Sequence, residues 1–210
     1  MPTRAPMMTL LRQLKRMKNH PLSIILASKS PRRQELLGLM NIQFRVVLKE
    51  VDESYPEGLS PADTALYIAE KKARAFDESL SENECVLTAD TIVCLDEVVL
   101  GKPQDGDHAF DMLTFLSGRK HEVITGVALM DRGGLRSFHD VTEVYFKHLT
   151  AEQIHYYIET FKPFDKAGSY GIQEWIGLIG IEKIVGSYTN VVGLPTEKLY
   201  HELLKLNSPL

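Results

Sequence analysis

Residues 22–40 read LSIILASKSPRRQELLGLM, and the change of pattern inside that stretch limits the folds open to the chain. LSIILAS is a short apolar run, and it reads as a buried strand rather than a helix face. Ser30-Pro31 then marks a helix start: a serine side chain accepts from a free first-turn N–H, and proline needs no N–H at the first helical position. Leu36, Leu37, Leu39 and Met40 continue at helical spacing to about residue 40. A buried strand that runs straight into a helix belongs in a layered α/β arrangement.

The remaining patterns extend that arrangement. IQFRVVL (42–48) alternates as a strand, and Ser60-Pro61 opens a second capped helix to about Phe76. ECVLTAD and TIVCLDEVVLG read as strands that meet around Asp90, with a turn at Asp96-Glu97. A helix is expected over about 105–116. HEVITGVALMDRGGLRSFHDVTEVYFKHL reads as a long hairpin broken at Gly133-Gly134. Thr150 caps the helix of TAEQIHYYIET, FKPFDKAGSYGIQ is a glycine-bearing loop, GLIGIEKIVGS suggests strands, and LPTEKLYHELLKL ends the chain as a helix. Parallel-type and hairpin-type strands together require a mixed, twisted sheet flanked by helices. One α/β domain over residues 21–207 is expected, with room for two lobes and a cleft.

Residues 1–20 carry Arg4, Arg12, Lys15, Arg16 and Lys18 and no acid, with Leu10, Leu11, Leu14 and Met17 at helical spacing. They read as a loose basic extension before the fold; a transit peptide or a membrane-surface helix is the alternative. The chain as a whole has a net charge of −4, which argues against a nucleic-acid partner. No apolar run reaches the roughly 18 residues of a membrane span, so no membrane partner is expected. Cys85 and Cys94 form neither a disulfide framework nor a metal cluster, and a reducing, cytoplasmic setting fits them. The seven histidines show no metal-ligand spacing.

Chemistry concentrates in a few places. Arg32 and Arg33 fall in the first turn of the 31–40 helix, where free N–H groups and the helix dipole are already positive. An anion seated there removes the conflict, with Ser28 and Ser30 as further donors. The competing reading is a solvated turn with both arginines paired to surface acids such as Glu35. Lys72 lies on the inward side of its helix, three or four residues from Ile68, Ala69 and Phe76. Asp90 and Thr91 follow CVLT, where a carboxylate suits a divalent metal or an attacking water. Lys102, between Gly101 and Pro103, suits phosphate oxygens as a point charge. In DKAGSYGIQ, Gly168 and Gly171 permit close backbone approach to a ligand, while Lys166, Ser169 and Gln173 supply donors. Gln173 is suited to a base edge. Each of these alone is equally well an ordinary turn or surface group.

Taken together and in order, LASKSPRRQELL, VDES, EKKARAF, ADTIVCLDEVVLGKP, HEVITGVAL, DKAGSYGIQ and GSYTNVVGLP resemble the Maf family of nucleoside triphosphate pyrophosphatases. The likeness spans about residues 22–205. It implies a Maf/ITPase-like fold and hydrolysis between the α and β phosphates, giving the monophosphate and pyrophosphate. Asp90 and Lys102 would be catalytic. Ser28, Ser30, Arg32, Arg33, Lys72, Thr91, Lys166 and Gln173 would bind substrate. Glu53 in VDES, with Asp90, would hold a divalent cation, Mg²⁺ first and Mn²⁺ or Co²⁺ as substitutes. Asp90 matches the family's general base and equally suits the metal. Arg32, Thr91 and Gln173 follow the dTTP and UTP type, whereas the 7-methyl-GTP type differs at all three places. The implied partner is a nucleoside triphosphate, and the family often forms homodimers. Two alternatives compete: a pyrophosphatase for 7-methyl-GTP or deaminated purine triphosphates, and a septum-linked nucleotide-binding regulator without turnover.

Asp90→Asn keeps the shape of the side chain and removes the anion. A folded Asp90→Asn protein is therefore expected to lose triphosphate hydrolysis by ~10²–10⁴ or more, the usual cost of losing a general base. Near-normal turnover in a steady-state assay of that variant contradicts the assignment.

Overall fold

The computed structural model describes residues 22–206. The basic stretch 1–20 and the outer ends of the expected 21–207 domain lie outside the described residues.

The apolar run after Leu22 forms β1 (Ser23–Leu26), which lies parallel to β2 (Phe44–Val46) on one side. On its other side β1 runs parallel to the first part of β3 (Glu84–Leu95). Two expected strands, ECVLTAD and TIVCLDEVVLG, divide differently from the expectation. β3 passes through Asp90 without a break, and the turn comes at Asp96 and Glu97, both with positive φ. That turn returns β4 (Val98–Leu100) antiparallel along the end of β3. Unbroken β-branched and apolar residues leave the chain no reason to turn at Asp90, whereas Asp96 is of a type that tolerates a left-handed turn position, and Glu97 takes the next one.

β5 (Lys120–Asp131) and β6 (Gly134–Phe146) are the long hairpin, turning at Arg132 and Gly133. β5 also pairs antiparallel with β3 over most of its length, and β7 (Ile181–Val185) completes the sheet beside β6. The order is β2-β1-β3-β5-β6-β7, with β4 sharing the outer side of β3 with β1. The sheet is mixed, as the sequence requires.

Helices cap as the sequence indicates. α1 (Pro31–Leu39) starts on Ser30, whose Oγ accepts from Arg33 N, and α2 (Pro61–Arg74) starts on Ser60, which accepts from Asp63 N. α3 (Gly106–Leu116) is capped by Asp105, and α4 (Ala151–Phe161) by a reciprocal Thr150–Gln153 box. One segment departs from expectation: in GLIGIEKIVGS only the second half is strand. Its first half lies in a short helix, α5 (Trp175–Gly180), in which Gly177 packs directly on the Ile172 carbonyl, where a Cβ would stand 1.9 Å away. α6 (Tyr188–Val192) has too short a pattern to be read from sequence, and α7 (Thr196–Leu206) closes the fold.

Alternation along β3 sends its side chains to two different layers. Val86, Thr88, Asp90, Ile92 and Cys94 face α2, whose Ala65, Ile68, Ala69 and Ala73 are buried. On the opposite face two apolar clusters form. Leu87 and Ala89 pack with α1 and α7, while Val93 and Leu95 pack with α3 and α4. Thr91 lies between these clusters. The chain therefore forms one sheet with two lobes on one face, and a seam between them.

Two packing details are directly testable. Gly126 on β5 faces Ala65 of α2, and a Cβ there would stand 2.4 Å from the Ala65 carbonyl carbon and oxygen. Gly126→Ala must push α2 off the sheet; a loss of about 1–3 kcal/mol in denaturant unfolding is expected. His121 is buried at 1% exposure against Phe146 and Tyr170, and its Nε2 pairs with the Tyr170 hydroxyl at 2.7 Å. Burial pushes its imidazole down to about 3. Below about pH 6.5 the unfolded chain takes up a proton that the folded imidazole refuses. Stability should therefore be full above about pH 6.5 and fall as pH drops toward 3. His121→Gln, which stays neutral, should show a flatter fall in denaturant midpoint over that window than the unmodified protein.

Candidate active site

β3 is flanked on its outer side by β1 as far as Leu87 and by β4 only from Val93. Between them, residues 88–92 face a gap in the sheet. The chain leaves β1 through Ser28 and Ser30 into α1, and leaves β4 through Lys102, so both loops splay at that gap. Ligands in open α/β sheets bind where neighbouring strands diverge in this way. A cavity of about 1200 Å³ opens there, large enough for a nucleotide. Seven cationic side chains and five acidic ones line it, in a chain whose net charge is −4.

On the α2 face, Lys72 joins two carboxylates. Its Nζ lies 2.7 Å from Asp90 Oδ1 and 2.9 Å from Glu53 Oε1. Asp90 Oδ2 has no partner among the described residues. Burial raises the Glu53 carboxyl, but the hydrogen bond and charge of Lys72, with Lys102 and Arg33, outweigh it and hold the group below its ordinary value. Glu53 is held in place from both sides. Asp52 accepts from the Ser54 N–H at 3.0 Å, and Lys71 donates to Asp52 at 3.1 Å and to the Ser54 carbonyl at 3.0 Å. Lys71 and Asp52 were not singled out by sequence reasoning; the alternating charges of VDES and EKKAR were the available signal.

The two arginines part company. Arg33 turns into the gap. Its Nε donates to Gly193 O, Nη1 to Ala89 O at 2.8 Å and Ser28 Oγ at 3.4 Å, and Nη2 to Thr91 Oγ1 at 3.0 Å. The guanidinium thus satisfies a β3 carbonyl that no strand reaches. Burial pulls its pKa down, while Asp90 opposes that shift. Arg32 instead crosses the cavity mouth to Asp165 at 2.9 Å. Asp165 also contacts Lys166 at 2.8 Å, and Lys166 contacts Glu174 at 3.1 Å. Burial raises the Asp165 carboxyl, but Lys166 and Arg32 together hold it below its ordinary value. Tyr157 donates to Glu174 and accepts from Gly171 N at 3.0 Å, which ties the loop wall to α4.

The structure thus brings Ser28, Ser30, Arg32, Arg33, Glu53, Lys72, Asp90, Thr91, Lys102, Lys166 and Gln173 to one cavity. Their conditions differ. Lys102 is exposed and has no hydrogen bond or ion pair among the described residues, so its charge is open to a ligand. Lys166, expected as a free donor, is buried between two carboxylates. Thr91 is joined to Arg33 and to Thr125 Oγ1, 2.9 Å away. Gln173 is exposed at the rim rather than buried. Gly168, expected to make room for a ligand, instead makes room for Val93: its φ is +66°, and a Cβ would stand 2.8 Å from that side chain. A Cβ on Gly171 would meet Glu174 and Gln173. Ser169 is fully buried against Met112 and does not line the cavity. Gly193, with φ +123°, is the backbone site that Arg33 reads, and it escaped sequence reasoning because a lone glycine in VVGLP marks only a turn.

The chain is similar to known proteins over most of its length. The family model described as Maf-like protein matches residues 23–206. A dTTP/UTP pyrophosphatase from Phocaeicola vulgatus is 55% identical over 184 residues, covering 87% of this chain and 95% of that protein. A dTTP/UTP pyrophosphatase from Flavobacterium psychrophilum is 54% identical over 181 residues, covering 86% and 93%. A protein of the same description from Porphyromonas gingivalis is 48% identical over 183 residues, covering 86% and 92%. Among solved structures, a HAM1 protein from Coxiella burnetii overlaps with a TM-score of 0.49 at 16% identity, covering 88% of this chain and 99% of that one. With a family model spanning the sheet, both lobes and every element around the gap in β3, this chain belongs to the Maf family.

Proposed function

We propose that this protein hydrolyses dTTP and UTP to the monophosphate and pyrophosphate. The observation that carries the reading is the excess of cations around the gap in β3, in an otherwise acidic chain, beside a lysine-bridged pair of carboxylates. Such a cavity suits a polyanion that must also react with water. The names of the relatives supply the base preference.

The triphosphate lies at the start of α1, where first-turn N–H groups, the Ser28 and Ser30 hydroxyls and Arg33 present donors. Lys102 neutralises the phosphate charge from the β4 side. Arg32 exchanges its Asp165 partner for phosphate oxygen, an opposite charge of the same reach. Asp90 Oδ2, open while Oδ1 is held by Lys72, takes the proton of the attacking water. The water oxygen bonds to the α phosphorus as the bond to the bridging oxygen breaks, and pyrophosphate leaves with that electron pair. Positive charge already in place where negative charge develops lowers the barrier.

A divalent cation fits the donors present. Glu53 and Asp90 each reach within 3 Å of the same Lys72 nitrogen, so two hard oxygen donors converge, the protein share that Mg²⁺ usually has beside substrate phosphates. Among the described residues no set of three or more acidic, histidine or cysteine side chains forms a complete cage. The ion, when bound, would polarise the phosphoryl oxygens. A reducing, cytoplasmic setting is proposed with this function. It is supported by two buried free thiols, of which burial pushes Cys85 up to about 12.

Steady-state turnover of dTTP, UTP, CTP, GTP, ATP, ITP and 7-methyl-GTP tests the proposal. dTTP and UTP should lead, with GTP and ATP about ten- to a hundredfold lower in kcat/KM. Gln173→Ala should lose preference as well as rate. Because Gln173 is exposed when the cavity is free, its contribution depends on burial by the base, so the variant should fold as stably as the parent. Equal kcat/KM for GTP and UTP overturns the pyrimidine reading. No turnover of any triphosphate overturns the enzyme reading.

A further inference from the structure

A guanidinium has five N–H hydrogens. In Arg33 four go to Gly193 O, Ala89 O, Ser28 Oγ and Thr91 Oγ1. The remaining one is on Nη2, beside the hydrogen that goes to Thr91, at the cavity wall. Whatever fixes the Arg33–Thr91 bond therefore aims the last N–H of Arg33.

That bond is fixed from behind. Thr125 Oγ1 lies 3.0 Å from the backbone carbonyl of Asn190, and a carbonyl only accepts. Thr125 must donate there, so between the two threonines Thr91 is the donor. With its single proton sent to Thr125, Thr91 can only offer Arg33 a lone pair. In the reverse order Thr91 would still accept from Arg33 through its second lone pair, but its own proton would have no partner among the described residues to fix the hydroxyl. Asn190 is itself immobilised: its Nδ2 donates to Val123 O and to Thr142 Oγ1, both at 3.0 Å. Thr125 and Asn190 are fully buried, so water does not compete for these bonds.

We propose that Thr125 is a positioning residue, the middle link of a one-way relay Arg33–Thr91–Thr125–Asn190 that aims the free N–H of Arg33 at bound phosphate. Thr91 then acts on the substrate through Arg33, without donating to it. This rests on the triphosphate reading of the cavity.

The test uses the full chain and two readouts, dTTP kinetics and direct calorimetric binding of inorganic pyrophosphate. Thr125→Val keeps the shape and removes the hydroxyl; Thr125→Ser restores the relay. Thr125→Val should raise KM for dTTP and weaken pyrophosphate binding by about tenfold each, the size of one bond to a charged group. Its kcat should change little, because Asp90 and Lys72 lie on the other face of β3. Thr125→Ser should return both values to within about twofold of the parent. Thr91→Val/Thr125→Val should be no worse than Thr125→Val, since one relay is broken once. Loss of packing alone lowers the active fraction, and hence kcat, and leaves KM where it was. Should Thr125→Val not yield folded protein, Thr91→Val against Thr91→Ser reads the same relay one link nearer Arg33. Unchanged KM and pyrophosphate affinity in the valine variants, or multiplicative losses in the double variant, overturn the relay. A parent protein that binds pyrophosphate but turns over no triphosphate overturns the reaction reading and leaves the relay to be judged by the binding arm.

Discussion

Much of this structure depends on a stretch of β3 that has no neighbour on one side. Backbone groups of a central strand that meet neither a strand nor water are costly, about 1–3 kcal/mol for each unmet partner. The chain answers with a side chain. Arg33 reaches from the first turn of α1 and donates to the Ala89 carbonyl where a strand would otherwise do so. This keeps the sheet continuous for folding yet open for a ligand. It also ties α1, β3 and the Gly193 turn to one guanidinium. Lysine is no substitute here, since a single ammonium cannot hold four acceptors spread across a plane.

The same gap explains how the core is divided. Leu87 and Ala89 belong to one apolar cluster and Val93 and Leu95 to the other, and Thr91 stands where a continuous core would need a fifth apolar residue. From Thr91 a polar line runs under the sheet through Thr125 and Asn190 to Thr142 and the Ser187 carbonyl. A buried polar line is tolerable only when nearly all its members are paired, and this one is nearly complete. Each lobe keeps its own apolar packing, and the seam between them carries the site.

How far the sequence discloses this depends on distance along the chain. Capped helices, the long hairpin and the β1–α1 turn announce themselves within a few residues, through Ser-Pro pairs, alternation and glycine. The unbroken passage of β3 through Asp90 does not, because a carboxylate in a strand reads locally as its end. What holds it mid-strand is Lys72, eighteen residues earlier, and a gap made by two strands that stop short. Thr125 and Asn190 were illegible for the same reason: inside a strand pattern a threonine is simply β-branched, and only its cross-strand partner Thr91 shows that the hydroxyl is in use. The glycines misled in the opposite direction. Gly168 resembles a ligand-cradling glycine in sequence, and its neighbour is the core residue Val93.

The two arginines at a helix start, electrostatically misplaced by about 0.3–1 kcal/mol each, turn out to have different remedies. Arg33 is neutralised in effect by carbonyls and hydroxyls that it holds permanently. Arg32 borrows Asp165, a half-exposed carboxylate at the cavity mouth. The pattern repeats around the cavity: Lys72 has Glu53 and Asp90, and Lys166 has Asp165 and Glu174. Phosphate entering such a site displaces carboxylates from cations, so its binding energy is a difference between two ion pairs rather than the whole of one. Lys29 and Lys102 stand open, exposed and with no hydrogen bond or ion pair among the described residues. A cavity arranged in this way keeps most of its cations paired without a ligand, retains an excess of positive charge, and sets its carboxylates beside the cations that a polyanion would meet under the proposed function.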